Sequence, residues 1–148
     1  MGETERVETA LTTFADGFNC AQSVFSALAP GLGLDRETAL RVAGAFGGGF
    51  GRRGEACGAA AGALMAIGLK HAMVAPGEVE AKERTYQVAE EFMKRFIARH
   101  GWTTCRDLLG CDPSTPEGRQ TMKEKNFHGT VCPRFVRDAV EIAGEVLG

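Results

Sequence analysis

Five cysteines stand at positions 20, 57, 105, 111 and 132 of a 148-residue chain. Thiolates bind soft metals and exchange electrons through disulfides, so this residue type at this density points first to metal or redox chemistry. Four of the five share a local setting. Cys20 follows Asn19, a good helix cap, and Cys57 follows the turn-forming "RRGE". Cys105 follows Thr103-Thr104, while Cys132 follows Thr130 and precedes Pro133, a residue suited to the first turn of a helix. Each of these four is expected to open a helix, where unpaired N–H groups and the macrodipole shift a thiol toward thiolate. If those helices converge, Cys20, Cys57, Cys105 and Cys132 form one site, either as metal ligands or as catalytic redox thiols. Cys111, in the turn "LLGCDPS", is left as a spare thiol, a resolving thiol or a plain core residue.

Spacing narrows what such a site could hold. No C-x-x-C is present, so the compact zinc-ribbon, bacterial ferredoxin and thioredoxin signatures are missing. No C-x-x-C-H is present, which removes covalent c-type haem. Four ligands gathered from distant helices leave three options: an iron–sulfur cluster, a zinc ion, or a pair of reversible disulfides.

The segment around Cys57, "GAFGGGFGRRGEACGAAAG" from Gly44 to Gly62, holds eight of the 20 glycines. Two phosphate motifs can be laid on it, and both fail. Gly49 and Gly54 begin a P-loop pattern, but Glu55 and Ala56 occupy the places of its lysine and hydroxyl, and a carboxylate there repels phosphate. Gly49, Gly51 and Gly54 fit G-x-G-x-x-G, yet a helix rather than a strand precedes them, and no acidic residue lies about 20 positions on to hold a ribose. No nucleotide is expected. A helix end needs one or two glycines, so the excess implies a backbone that comes close to another helix or to a bound group.

The elements that would position these residues are helical. Val7, Ala10, Leu11 and Phe14 fall at i, i+3, i+4 and i+7; Ala21, Val24, Phe25 and Leu28 do the same, as do Ala39, Val42, Ala43 and Phe46. Breakers at "DGFN", "PGLGLD" and the glycine run divide these three short helices. A fourth helix near 55–73 is rich in Ala and Gly, which permits close approach and makes it the central one. A fifth opens at "APGE", residues 75–78, and runs to about His100, where Gly101 ends it. Short helical turns at "TCRDLLG" and about 114–126 precede a last helix from Val131. No segment alternates with period two, so the expectation is an all-α, single-domain bundle of about six to eight helices over residues 1–148.

Composition sets outer bounds. With 44% hydrophobic residues the chain can bury one core, and 17 basic against 19 acidic residues give a net charge of −2. No basic block exceeds Arg52-Arg53, so no nucleic-acid partner is expected. The apolar run Ala56–Leu69 is fourteen residues, short of the roughly 20 that span a bilayer. The charged start, "MGETER", lacks the apolar core of a secretory signal, and the compartment expected is the cytoplasm. Of the remaining candidates, His71 and His100 are placed near helix C-termini, where a partly protonated imidazole is favoured, and His128 is a further possible ligand. Arg52-Arg53 is read as a solvated loop, and Trp102 as core.

On the residues Cys57-Gly58-Ala59-Ala60-Ala61-Gly62, a C-G-A-x-x-G motif, with "NCAQSV" around Cys20, "CRDLLG" at Cys105 and Cys132 opening the last helix, the chain resembles the C_GCAxxG_C_C family of redox-active proteins over nearly its whole length. The resemblance implies a redox role resting on Cys20, Cys57, Cys105 and Cys132, with Gly58 and Gly62 completing the motif as cofactor-binding positions. It also implies similarity to part of the split-Soret cytochromes, whose haem-attachment motif is missing here. The leading expectation is an electron-transfer or oxidoreductase protein working with a redox partner protein, possible iron–sulfur or other metal ligation, and dimerisation through the small-residue helix. The alternatives are a non-redox binding module with a structural zinc, and a subunit whose cysteines are incidental.

Overall fold

Local caps divide the chain where its breakers stand. The computed structural model describes residues 2–148, and among these every regular element is helical. Helix α1 spans Glu3–Ala15 and α2 spans Cys20–Leu28. A 3-10 turn, Pro30–Leu32, leads to α3, Arg36–Val42, which Asp35 caps through a hydrogen bond from Thr38 N. A four-residue turn, α4 (Gly47–Phe50), precedes α5 (Gly58–His71), and α6 runs Val79–His100. Then come α7 (Cys105–Leu109), α8 (Pro116–Glu124), α9 (Phe127–Thr130) and α10 (Cys132–Leu147). Eight of these helices have five or more residues, and together they form one all-α domain. No helix among the described residues is long and apolar enough to cross a membrane.

The expected boundaries shift in places. The central helix begins at Gly58 rather than near 55, because residues 54–57 are drawn into pairing with 103–106. Helix α6 begins at Val79 rather than at 75, since Gly77 takes φ +87° and Glu78 bonds back to Val74 N. Trp102, expected in the core, is 57% exposed. Gly101 ends α6 with φ +82° and turns the chain outward before 103–106 is caught by the pairing just described.

Helix α5 sits between α2, α6 and α10, and its small residues decide how near they come. A Cβ at Gly62 would stand 2.7 Å from Ala21 O and 3.1 Å from Val24 Cβ; a Cβ at Gly58 would stand 2.9 Å from Phe46 O and 3.3 Å from Cys20 Cβ. Both positions must be glycine for α2 to lie where it does. Phe92, Phe96, Ile67, Ile142, Val24, Val136 and Val140 fill the core without solvent contact. Along the outside, Arg99 reaches Glu141 at 2.9 Å and Arg95 reaches Glu145 at 2.9 Å, linking α6 to α10. These pairs are partly exposed and worth roughly 0–1 kcal/mol each, so burial of the core residues holds the bundle.

Candidate functional site

Helices α2, α5, α7 and α10 point their first turns into one cavity of about 820 Å³, and Cys20, Cys57, Cys105 and Cys132 all line it. The four expected site cysteines are thus brought together, while Cys111 lies outside the lining. All five thiols are free. Gly58 lines the cavity; Gly62, one turn on, faces α2 instead.

Each cysteine is held by a local device. Asn19 and Gln22 form a reciprocal capping box, with Gln22 N donating to Asn19 Oδ1 at 2.8 Å and Asn19 N to Gln22 Oε1 at 3.1 Å. The Asn19 amide also donates to Gly44 O at 3.0 Å and the Gln22 amide to Leu40 O at 3.0 Å, tying Cys20's helix to the end of α3. Thr104 caps α7 by accepting from Asp107 N at 3.3 Å. Cys132 needs no side-chain cap; Pro133 fixes the first turn of α10. Cys57 and Cys105 are locked to each other by backbone. Cys57 N donates to Thr103 O at 2.8 Å, Cys105 N to Glu55 O at 2.6 Å and Arg106 N to Gly54 O at 3.1 Å, around an isolated antiparallel bridge between Ala56 and Thr104. Nothing in local sequence signals this rung, because its two halves are some fifty positions apart.

The glycine run proves to be a left-handed turn. Gly48, Gly49, Phe50, Gly51 and Arg52 all have φ between 65° and 72°. At Gly49 a Cβ would stand 2.6 Å from Glu55 N and 2.7 Å from Cys105 Cβ. Phe50 and Arg52 are not glycine, and each adds roughly 1–2 kcal/mol of backbone strain. Strain of this kind, held by surrounding structure, gathers at functional sites. Here it folds the backbone over the thiols and lets Cys105 approach.

The expectation of four thiolates is corrected. Burial pushes Cys57 up to about 11, against the opposing N–H groups of Ala60 and Ala59. Cys105 rises to about 12, through burial first and then the neighbouring Cys57, Cys132, Cys111 and Asp112. Helix N-termini favour the anion, but removing a thiolate from water costs more here. Cys132 alone moves down, because the Cys20 thiol donates a hydrogen bond to it; Cys20 rises well above the usual thiol range for the same reason, and then through burial. The pair is therefore polarised, with Cys132 the thiol of the two that gives up its proton more readily. Cys111 also rises, through burial.

The histidines are corrected too. His71 and His100 do sit at helix C-termini, yet both titrate below the ordinary value. Burial dominates for each, joined at His71 by Lys70 and Arg84; at His100 the Asp138 carboxylate, 2.9 Å from Nε2, opposes it. His128 lines the cavity, stacked on Phe14 with ring centroids 3.9 Å apart. Phe14 and Phe135 complete an apolar floor that the sequence marked only as core.

Among the described residues, no group of three or more His, Cys, Asp or Glu side chains is arranged to hold a metal ion. Residues 18–146 match the family model described as "Putative redox-active protein (C_GCAxxG_C_C)", and the chain belongs to that family. No curated protein and no solved structure matches it.

Proposed function

We propose that this member of the C_GCAxxG_C_C family is a thiol redox protein in which Cys20 and Cys132 cycle between dithiol and disulfide, with Cys57 and Cys105 enclosing them. The single observation behind this reading is that Cys20 and Cys132 line one cavity and act on each other there, Cys132 holding the Cys20 proton on and Cys20 easing the loss of the Cys132 proton. A hydrogen-bonded thiol pair has its nucleophile, its proton and its second sulfur already in contact. The Cys132 thiolate attacks one sulfur of an incoming disulfide, forming a mixed disulfide and releasing the other sulfur as a thiolate. Cys20 gives its proton to that leaving thiolate and attacks the Cys132 sulfur, and the second thiol departs with a proton taken from water. The net change is one protein disulfide formed and one disulfide reduced to two thiols. Five free thiols suit the reducing cytoplasm as the place of work.

A second reading is favoured by a separate observation, the lining of one cavity by four cysteines from four helices. Cys20, Cys57, Cys105 and Cys132 would then be the ligands of an iron–sulfur cluster, which supplies one-electron transfer when bound. A single zinc ion ranks below both, since no three donors among the described residues are grouped around one point.

Anaerobic purification separates these readings. The dithiol reading expects metal-free protein that loses two thiols on mild oxidation, with the new disulfide mapped by mass spectrometry to Cys20 and Cys132 and reversed by reductant. Stoichiometric iron and sulfide with broad visible absorption would replace it with the cluster reading. Thiols that stay unreactive in metal-free protein would end both.

A further inference from the structure

The cavity is far larger than two thiols need. At about 820 Å³ it lies within the roughly 300–1,000 Å³ range of small-molecule sites. Its charge is one-sided. Arg52, Arg119 and Lys123 line it, and no aspartate or glutamate does. Arg119 is steadied by a hydrogen bond from Nη1 to Pro113 O at 3.0 Å. The side chains of Arg52 and Lys123 make no hydrogen bond or ion pair among the described residues, although the chain has more acidic than basic groups. Asp112, the carboxylate that Cys105 feels, is turned into Ser114, which donates to Oδ1 from N at 2.9 Å and from Oγ at 2.6 Å. A chain of net charge −2 that keeps its acids out of one cavity and three cations in it has a surface complementary to a negative ligand. The floor, with Phe14 and Phe135, is apolar.

We infer that the cavity admits an anionic organic disulfide, a molecule with an apolar body around its S–S bond and carboxylate ends held by Arg52, Arg119 and Lys123. This rests on the dithiol reading for the reacting atoms and adds the class of substrate. The exchange is the one written above: the ligand's disulfide accepts two electrons from Cys20 and Cys132 and leaves as two anionic thiols. Selection is by charge at the mouth and by the thiol pair within.

Three disulfides of similar length test this: dithiodipropionate as dianion, bis(hydroxyethyl) disulfide as neutral molecule and cystamine as dication. At low salt, oxidation of Cys20 and Cys132 should be fastest with the dianion and slowest with the dication, the extremes about 30-fold apart, and the spread should contract in about 1 M salt. The double variant Arg52→Gln, Lys123→Gln should narrow the spread to about threefold, whereas Arg84→Gln on α6 should keep it. Suberate, which matches dithiodipropionate in length and charge but has no sulfur, should slow alkylation of Cys132 in the wild type and not in the double variant. Equal rates with all three disulfides, or fastest reaction with cystamine, would overturn the anionic selection while leaving the dithiol chemistry in place. If no disulfide oxidises the pair yet suberate still protects Cys132 in an Arg52- and Lys123-dependent way, the dithiol reading falls and the anion site stands. Failure of suberate to protect removes the anion site.

Discussion

The two walls of the cavity are built by different physics. One wall is the meeting of α2 and α10, both packed against α5 and carrying Cys20 and Cys132 on their first turns. Its geometry comes from core burial and from Gly58 and Gly62, which leave no space for a Cβ. The other wall is the left-handed turn 48–52 with the rung between 54–57 and 103–106, carrying Cys57 and Cys105. Its geometry comes from backbone hydrogen bonds and stored strain. The packed wall carries the thiol that ionises most readily, and the strained wall carries two thiols whose protons burial retains. Placing the exchanging pair on the rigid wall fixes where the two thiols stand relative to each other. Leaving the covering wall strained keeps close approach possible without loosening that placement.

The largest effect should come from breaking the packed wall. Gly62→Val sets a Cβ about 2.7 Å from Ala21 O and near Val24 Cβ, so α2 must move off α5. Overpacking at a helix contact costs about 3 kcal/mol, which lowers the melting temperature by about 6–12 °C in a chain of this size. Because Cys20 moves with α2, mild oxidation should no longer give the Cys20–Cys132 disulfide in the fraction that stays folded. Calorimetry and disulfide mapping on the same sample would check both.

The strained wall should fail next, and in alkali. Cys57 and Cys105 titrate at about 11 and about 12 when folded, against 9.0 for a free thiol. A group whose folded pKa is raised gives its full stabilising contribution below the unfolded value and loses it as pH climbs through the folded one. Stability should therefore fall steadily between pH 9 and pH 12, by an amount on the order of a few kcal/mol. Cys57→Ala should flatten part of that fall, measured as denaturant midpoints across the same pH window. An unchanged slope in the variant would mean that burial does not hold the Cys57 proton.

The packed wall was legible in the sequence to a degree the strained wall was not. Asn19 and Pro133 are signals adjacent to the thiols they place, and they put Cys20 and Cys132 at helix starts, while on the other wall Thr104 did the same for Cys105 alone. Gly62 at the fifth place after Cys57 marked a close helix contact because a small residue leaves room for one. The left-handed turn left no such mark. Its glycines were visible, but Phe50 and Arg52 take φ near 67° inside a turn closed by Arg52 N to Gly47 O, Gly54 N to Gly48 O and Glu55 N to Gly49 O, bonds that their residue types do not announce. The rung pairing Ala56 with Thr104 is non-local, and it also explains why Trp102 faces solvent. The state of the thiols was misjudged for a related reason. Helix N-termini are written locally, whereas burial is a property of the whole fold, and burial won at Cys57 and Cys105, while the contact with Cys132 decided Cys20.

A smaller effect isolates the polarised pair. Cys20→Ala removes the donor that holds Cys132 down, so the Cys132 thiol should titrate higher. Its alkylation rate near pH 7 should drop about tenfold, equivalent to about 1.4 kcal/mol. Cys57→Ala, which removes a neighbour but not that donor, should leave the Cys132 rate nearly as it was. Rates followed by peptide mass spectrometry distinguish the two. Equal slowing in both variants would move the origin of the effect from the hydrogen bond to the general enclosure of the site.

The smallest effect has the opposite sign and tests why the strained wall is kept. Arg52 sits at φ +67° with its side chain exposed, so Arg52→Gly gives the backbone a residue at home in that region and removes no packed atom from the core. Relief of the left-handed strain, set against the greater freedom of glycine in the unfolded chain, should leave a gain of about 0.5–1 kcal/mol, or about 1–4 °C in melting temperature. The same change deletes one of the three cations at the cavity mouth, so the preference for dithiodipropionate over cystamine should weaken although the protein is more stable. Arg52→Gln provides the contrast, since it loses the charge and keeps the strain: it should weaken the preference without the gain in stability. A rise in stability for both variants would show that charge crowding, not backbone strain, is what Arg52 costs the fold. A loss of preference in neither would show that this cation serves only the loop. Stability gained together with selectivity lost is the pattern expected where a strained residue is retained for what it binds.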